Sequence, residues 1–356
     1  MKNKKGRLGK KLVIGTLSMS LIAMLATGCG STGVESRGKI AVIGKAVGVQ
    51  FWDDVEKGAD QAGEELNFEI RYNESDTDSA VDQQIKFIQD AINDDFDAIV
   101  IAPDDRSQLN DVLKSASDKG MKIITINSDI SDVACRKVYI GSSNASAGTI
   151  AGREVMSIAG LENTDVNIGI IGQGATSAAA LDRINGFKNQ LTAVNKARKD
   201  AAASSGIYSA DVNLYNIIST EHCDNDRARA KEITQKMIEM HPEINLMFGT
   251  NENSTLGICD AISELGLGGK VKVVGFNSHS QEIEYIQKGI LTGSVVQNPY
   301  NMGYLGVSYA SRLLNGETTI ATVDTGVMYV NASNLNDDAV QLLLHPGQDS
   351  ASGSNS

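Results

Sequence analysis

A strand–helix alternation that runs twice along the chain restricts its fold more than any other feature. KIAVIG (39–44) is a short apolar run of strand type, and FWDDVEKGADQAGEEL (51–66) then places Val55, Ala59, Ala62 and Leu66 on one helical face. FEIRYNE (68–74), FDAIVIAP (96–103) and MKIITIN (121–127) continue the strands. The helix between the first two aligns Val81, Ile85, Ile88 and Ile92. After VYIGS (138–142) the alternation begins again, with strands at VNIGIIG (166–172), YNIISTE (215–221), NLMFGTNE (245–252), VKVVGFNS (271–278) and LTGSVVQNP (291–299). A late helix, MGYLGVSYASRLLNG, and one late strand, VDTGVMYV (323–330), close the pattern. Strands separated by single helices pair in parallel through right-handed crossovers. The expected fold is α/β, with two doubly wound parallel-sheet lobes. The 356 residues are enough for two cores.

The first 28 residues stand apart. MKNKKGRLGKK holds six Lys/Arg and no acid, and the apolar run LVIGTLSMSLIAMLATG leads to Cys29. These are the parts of a secretory signal. Leu25-Ala26-Thr27-Gly28-Cys29 resembles a bacterial lipobox whose leucine is displaced by one position. The reading is a signal peptide at 1–28, a lipidated Cys29, a polar linker at 29–37 and a chain anchored by lipid outside the cell membrane. Loss of those six positive charges takes the net charge from −12 to −18. That balance argues against nucleic acid and against acidic lipid surfaces, and suits a soluble monomer. Cys135, Cys223 and Cys259 lack metal or redox spacing and read as buried free thiols, and the four histidines are scattered. No metal, cofactor or catalytic pair is expected, so the chain reads as no enzyme. GQGATS (172–177) lacks the third glycine of a dinucleotide loop. The end, 343–356, reads as a disordered tail.

The two halves echo each other at their strand ends: IAPDD (101–105) against FGTNE (248–252), and IITINSD (123–129) against VVGFNSH (273–279). Ligands of open parallel sheets sit outside the carboxyl ends of the strands, so two facing sheets imply a shared, hinged cleft.

KIAVIGKAVGVQFWDD, IVIAPDDRSQL, IITINSD, GATSAAALDRINGF, EHCDNDRARA, HPEINLMFGTNE, VVGFNS and VVQNPYNMGYLGV together resemble, in order, the ribose-type (type I) periplasmic sugar-binding proteins. The resemblance implies an importer binding protein joined by a three-strand hinge. Its first lobe would comprise 38–142 plus 298–326, and its second 143–297 plus 327–342. It would hand a neutral monosaccharide or polyol to an ABC permease in the membrane. Phe51 and Trp52 match the family's aromatic pair, which packs on sugar faces. Positions 52, 55, 59, 62 and 66 also form a helical stripe, so periodicity alone does not separate wall from core, and the resemblance places Trp52 toward the ligand. Asn127 and Asn277 stand where the ribose pattern has aspartates, and Ser128 where an arginine follows the first. Asn251 and Gln297 match hydrogen-bonding positions, Gln297 at a crossover. Val49 and Ala102 replace polar positions. Leu181 replaces an arginine that Arg183, two residues on, can supply after a register slip. Asn225 stands in place of a further aromatic. These departures speak against ribose itself. Lys45 matches a lysine of autoinducer-2 and rhamnose binders, which keeps a signalling furanose, or a sensor-coupled sugar, as the alternative.

Overall fold

The computed structural model describes residues 36–77, 80–206 and 212–346. The signal, Cys29 and most of the linker lie outside them. The first half comprises β1 (Lys39–Ala46), α1 (Gln50–Leu66), β2 (Glu69–Ser75), α2 (Val81–Asn93), β3 (Ala98–Ile101), α3 (Asn110–Asp118), β4 (Lys122–Ile126) and β5 (Val138–Gly141). The second half opens with α4 (Asn144–Glu154), β6 (Val166–Gly172), α5 (Ala178–Ser204), β7 (Tyr215–His222) and α6 (Arg227–Met240). It continues with β8 (Leu246–Gly249), α7 (Glu252–Glu264), β9 (Lys272–Phe276), α8 (Ser280–Gln287) and β10 (Gly293–Val296). Then come α9 (Pro299–Leu314), β11 (Thr322–Asp324), β12 (Met328–Asn331) and α10 (Asp338–Leu344).

Two six-stranded sheets result, in the orders β2-β1-β3-β4-β5-β11 and β7-β6-β8-β9-β10-β12. All pairings are parallel except β10 with β12. Both sheets are covered on both faces, as parallel sheets must be. In β1, Ile40 and Val42 join the cluster under α1 and α9, while Ala41 and Ile43 join the opposite cluster under α2 and α3. The strand order reverses between β1 and β3 and again between β6 and β8, which fixes the switch point of each lobe.

The chain crosses between sheets after β5, after β10 and after β11. The stretch 323–330, expected as one strand, is two strands in different sheets. Gly326 between them has φ +68, a left-handed turn that ends one strand and redirects the next. The chain is helical through Leu344, past the expected start of the tail at 343, because Leu335, Val340, Leu343 and Leu344 pack on the second lobe. Residues 347–356 lie outside the described residues. Cys135, Cys223 and Cys259 are buried free thiols.

In each lobe one helix pair crosses at facing glycines. A Cβ on Gly58 of α1 would lie 2.0 Å from the Tyr300 carbonyl oxygen, and one on Gly303 of α9 the same distance from that of Val55. In the second lobe, Gly148 of α4 would meet the carbonyl oxygen of Arg183 at 2.0 Å, and Gly186 of α5 that of Ala145 at 2.1 Å. These close approaches set the helices that carry Trp52 and Arg183.

Candidate functional site

The facing carboxyl ends of the two sheets enclose a cavity of about 40 Å³, with a smaller one of about 10 Å³ beside it. Phe51 borders both. Lys45, Phe51, Trp52, Asn127, Arg183, Asn225 and Asn251 line the first, and Asn277 and Gln297 line the second. All nine predicted ligand residues therefore meet around one aromatic side chain. The larger cavity has room for about three waters, so a hexose requires the lobes to part. A roomier hollow of about 420 Å³ lies behind the crossovers, walled by Asn298, Thr325, Met328 and Leu342, and none of the predicted residues reaches it.

Phe51 and Trp52 occupy the first turn of α1. Their rings meet edge to face, with centroids 4.8 Å apart. Both are more than nine-tenths buried and belong to the core cluster beneath α1. Trp52 is thus core and cavity wall at once, which is why its spacing alone did not choose between the two.

Asn127 and Asn277 end β4 and β9 in the same way. Both adopt left-handed backbone, φ +59 and +83, a region asparagine tolerates better than most residues. The Asn127 N–H donates to the Ile140 carbonyl and that of Asn277 to the Val295 carbonyl, both at 2.9 Å, each reaching the adjacent strand. Neither caps a helix. Asn251 does, accepting from the Ser254 N–H in a capping box at the start of α7. It also donates through Nδ2 to Asn225 Oδ1 at 2.6 Å.

The side chains differ more than the backbone. Lys45 Nζ donates to Ser128 Oγ at 2.9 Å, and that hydroxyl donates on to Asn127 Oδ1 at 3.3 Å. The lysine thus brings a cation to the place where the ribose pattern has arginine and this chain has Ser128. In the other lobe, Arg183 lies 3.8 Å over the Phe276 ring. Its Nε donates to Asn144 Oδ1 at 2.9 Å; Nη1 donates to the Thr250 carbonyl and Nη2 to Gln297 Oε1, both at 2.8 Å. Burial lowers its pKa to about 9, against the pull of Tyr139 and Asp182, so it stays cationic at neutral pH. Leu181, at the expected arginine position, is outward and exposed.

Two polar atoms of the smaller cavity are buried with no hydrogen-bond partner: Asn277 Oδ1, an acceptor, and Gln297 Nε2, a donor. An unpaired buried group of this kind costs about 1–3 kcal/mol.

Three contributors escaped the sequence reading. Gln173, at the end of β6, lines the larger cavity. It is the counterpart of Lys45: IIGQ (170–173) repeats VIGK (42–45). Gln50 and Glu252 clasp the lobes together. The Gln50 backbone N–H, at the free amino end of α1, donates to the Glu252 carboxylate, and Gln50 Oε1 accepts from the Ser280 N–H at 3.2 Å. Burial, then Asp53 and Asp54, push Glu252 up to about 7. Among the described residues no group of three or more His, Cys, Asp or Glu is placed to hold a metal, and no helix is long and apolar enough to cross a membrane.

This geometry has relatives. The model of the periplasmic binding protein domain matches residues 40–318. The chain belongs to the periplasmic binding protein family. Its members are binders, not enzymes, and the fold is the ribose-type, two-lobed one. The ribose import binding protein RbsB of Salmonella typhimurium is 25% identical over 301 residues, spanning 84% of this chain and 92% of the relative. The D-allose-binding periplasmic protein of Escherichia coli is 21% identical over 283 residues, spanning 78% and 85%. Among solved structures, an ABC transporter solute-binding protein from Agrobacterium vitis with bound D-fucose superposes with a TM-score of 0.77 at 27% identity, covering 86% of this chain and all of that one. A carbohydrate transporter solute-binding protein from Agrobacterium radiobacter, in complex with D-arabinose, has a TM-score of 0.77 at 25% identity, covering 86% and 99%.

Proposed function

We propose that this family member is an extracytoplasmic, lipid-anchored binding protein that closes its two lobes over a monosaccharide or polyol and delivers it to an ABC permease. The observation that carries the ligand class is the orphan pair Gln297 Nε2 and Asn277 Oδ1. A sugar hydroxyl both accepts and donates, so adjacent hydroxyls satisfy both atoms at once. The apolar C–H face of the same ring packs on Phe51 and Trp52, where burial contributes about 25 cal/mol per Å². The tight cavity supports binding by lobe closure. The ligands that the relatives' names carry, ribose, allose, fucose and arabinose, are all monosaccharides.

A thermal-shift screen over pentoses, hexoses, their acids and polyols tests the ligand class. Affinity near micromolar, about −8 kcal/mol, suits a binder that must also release. At a hundredfold excess over Kd, the cognate compound adds about 2.7 kcal/mol of stability. No stabilisation by any compound in the panel overturns the reading. The anchor rests on the sequence at Cys29. Replacing Cys29 with Ser is expected to release the protein from membranes without altering ligand-induced stabilisation. Continued membrane retention contradicts the anchor.

A further inference from the structure

Two buried cations meet at the larger cavity, and no carboxylate lines it. Lys45 comes from the first lobe and Arg183 from the second; the other walls are aromatic, aliphatic or amide. Every partner of these cations is neutral: a hydroxyl for Lys45, and two side-chain amide oxygens and a backbone carbonyl for Arg183. Four acids lie nearby, and none lines this cavity: Asp182 adjoins Arg183 in sequence but is exposed, and Asp54, at the other cavity, pairs with Lys57. Asp129, next to Ser128, takes both oxygens to Arg136. Glu252 borders the other cavity, on the far side of Phe51, where the end of α1 meets it.

This concentration of positive charge is not a by-product of composition, since the chain carries a net −12. A buried charge without a counter-charge is costly, and neutral acceptors offset only part of that cost. Donors are also left over. An ammonium has three N–H and a guanidinium five. Lys45 uses one and Arg183 three, so two remain on each. A neutral sugar can accept those hydrogen bonds but leaves both charges unbalanced. An anionic oxygen pair does both, through charge-assisted bonds that are roughly twice as strong as neutral ones.

We propose that the ligand is a monosaccharide bearing one anionic group, held between Lys45 and Arg183 while its ring packs on Phe51 and Trp52 and its hydroxyls reach Asn277 and Gln297. This rests on the sugar-binding reading above and replaces its expectation of a neutral ligand. A carboxylate, as in uronic and aldonic acids, and a phosphoryl group present the same chemistry to the two cations.

Titration calorimetry on the whole exported chain tests it, with hexuronates and aldonates, hexose and pentose phosphates, and the neutral parent sugars as probes. The expected result is an acid or a phosphate that binds at least about 30-fold more tightly than its neutral parent, as removal of one partner from a buried charge pair implies. Which of the two arms binds identifies the source of the anion. Lys45→Gln should erase most of that preference, so that the acid or phosphate binds no more than about threefold more tightly than its neutral parent in the same variant. Asn127→Asp, whose left-handed backbone an aspartate tolerates, adds a carboxylate to the cavity and should erase it too. A neutral parent that binds as tightly as its acid or phosphate overturns the inference and leaves the sugar-binding reading intact. An anion preference that survives both substitutions overturns the assignment to these cations. No binding by any probe overturns the inference and the sugar reading together.

Discussion

The two lobes repeat one backbone and differ in the chemistry hung on it. Both use the same strand order with one switch point, end their fourth strand in a left-handed asparagine and brace the site with a helix pair in glycine contact. The first lobe contributes two aromatic rings, a lysine and, at the larger cavity, a single amide, Asn127. The second contributes amides, an arginine and the orphan donor–acceptor pair. Matched backbone and unmatched side chains mean that the frame sets where a ligand sits, and each lobe recognises a different part of it.

That comparison can be broken from either side. The largest expected effect is at Trp52. Because it is core as well as wall, Trp52→Ala should abolish ligand binding and also cost about 3–5 kcal/mol in urea unfolding. An alanine variant of native stability shows the ring to be wall only; one that unfolds less stably but binds normally shows it to be core only. Gly58→Ala and Gly148→Ala come next. Each forces a methyl group into a backbone carbonyl, and the matched geometry predicts similar losses of about 1–3 kcal/mol in the two lobes, read as matched falls in denaturation midpoint. A loss confined to one lobe denies that the two braces are equivalent.

A smaller effect comes from the clasp. Glu252 is pushed up to about 7 from the ordinary 4.5, by burial first and then by Asp53 and Asp54 of α1. The Gln50 N–H and Arg227 of α6 oppose the rise, and the buried Glu282 of α8, itself raised well above the usual range, faces Glu252 as well. A carboxyl whose pKa is raised in the folded state favours that state at low pH. Its contribution is full below about pH 4.5, declines as pH rises and is gone above about pH 7, a change on the order of 2 kcal/mol. Glu252→Gln should therefore remove that share of the fall in melting temperature between pH 5 and 7, leaving the share due to Glu282. An unchanged pH profile denies the clasp. The smallest effect on stability is expected from glycine at the paired asparagines, since glycine accepts left-handed backbone freely. Asn127→Gly and Asn277→Gly should each change stability by less than about 0.5 kcal/mol. Sugar affinity should fall further for Asn277→Gly, which removes the orphan acceptor, than for Asn127→Gly, whose oxygen already accepts from Ser128.

What was legible in the sequence follows the same division. The alternation gave the layers, and the echoed strand ends gave the cleft, because both depend on local pattern. Asn127, Asn251 and Asn277 sat at strand ends and were readable there. Gln173 carries a signal in IIGQ, which repeats VIGK, but a glutamine where the first half has a lysine breaks the match in residue type. Arg183 turned on helix register: the resemblance pointed to 181, and only packing shows Leu181 outward and Arg183 buried. Glu252 and Gln50 could not be read at all, since their partners lie in the opposite lobe and become partners only when the lobes approach. The split of 323–330 and the helix α10 were lost for a related reason: short segments take their form from the sheet or core they join.

Trp52 is the only tryptophan in the chain, so its emission reports on the cleft alone. Fluorescence titration with the sugars and sugar acids that calorimetry shows to bind is the most direct test of where the ligand sits. A saturable change in Trp52 emission, with the same Kd as calorimetry, is the predicted result. Binding seen by calorimetry while Trp52 emission stays constant would contradict it.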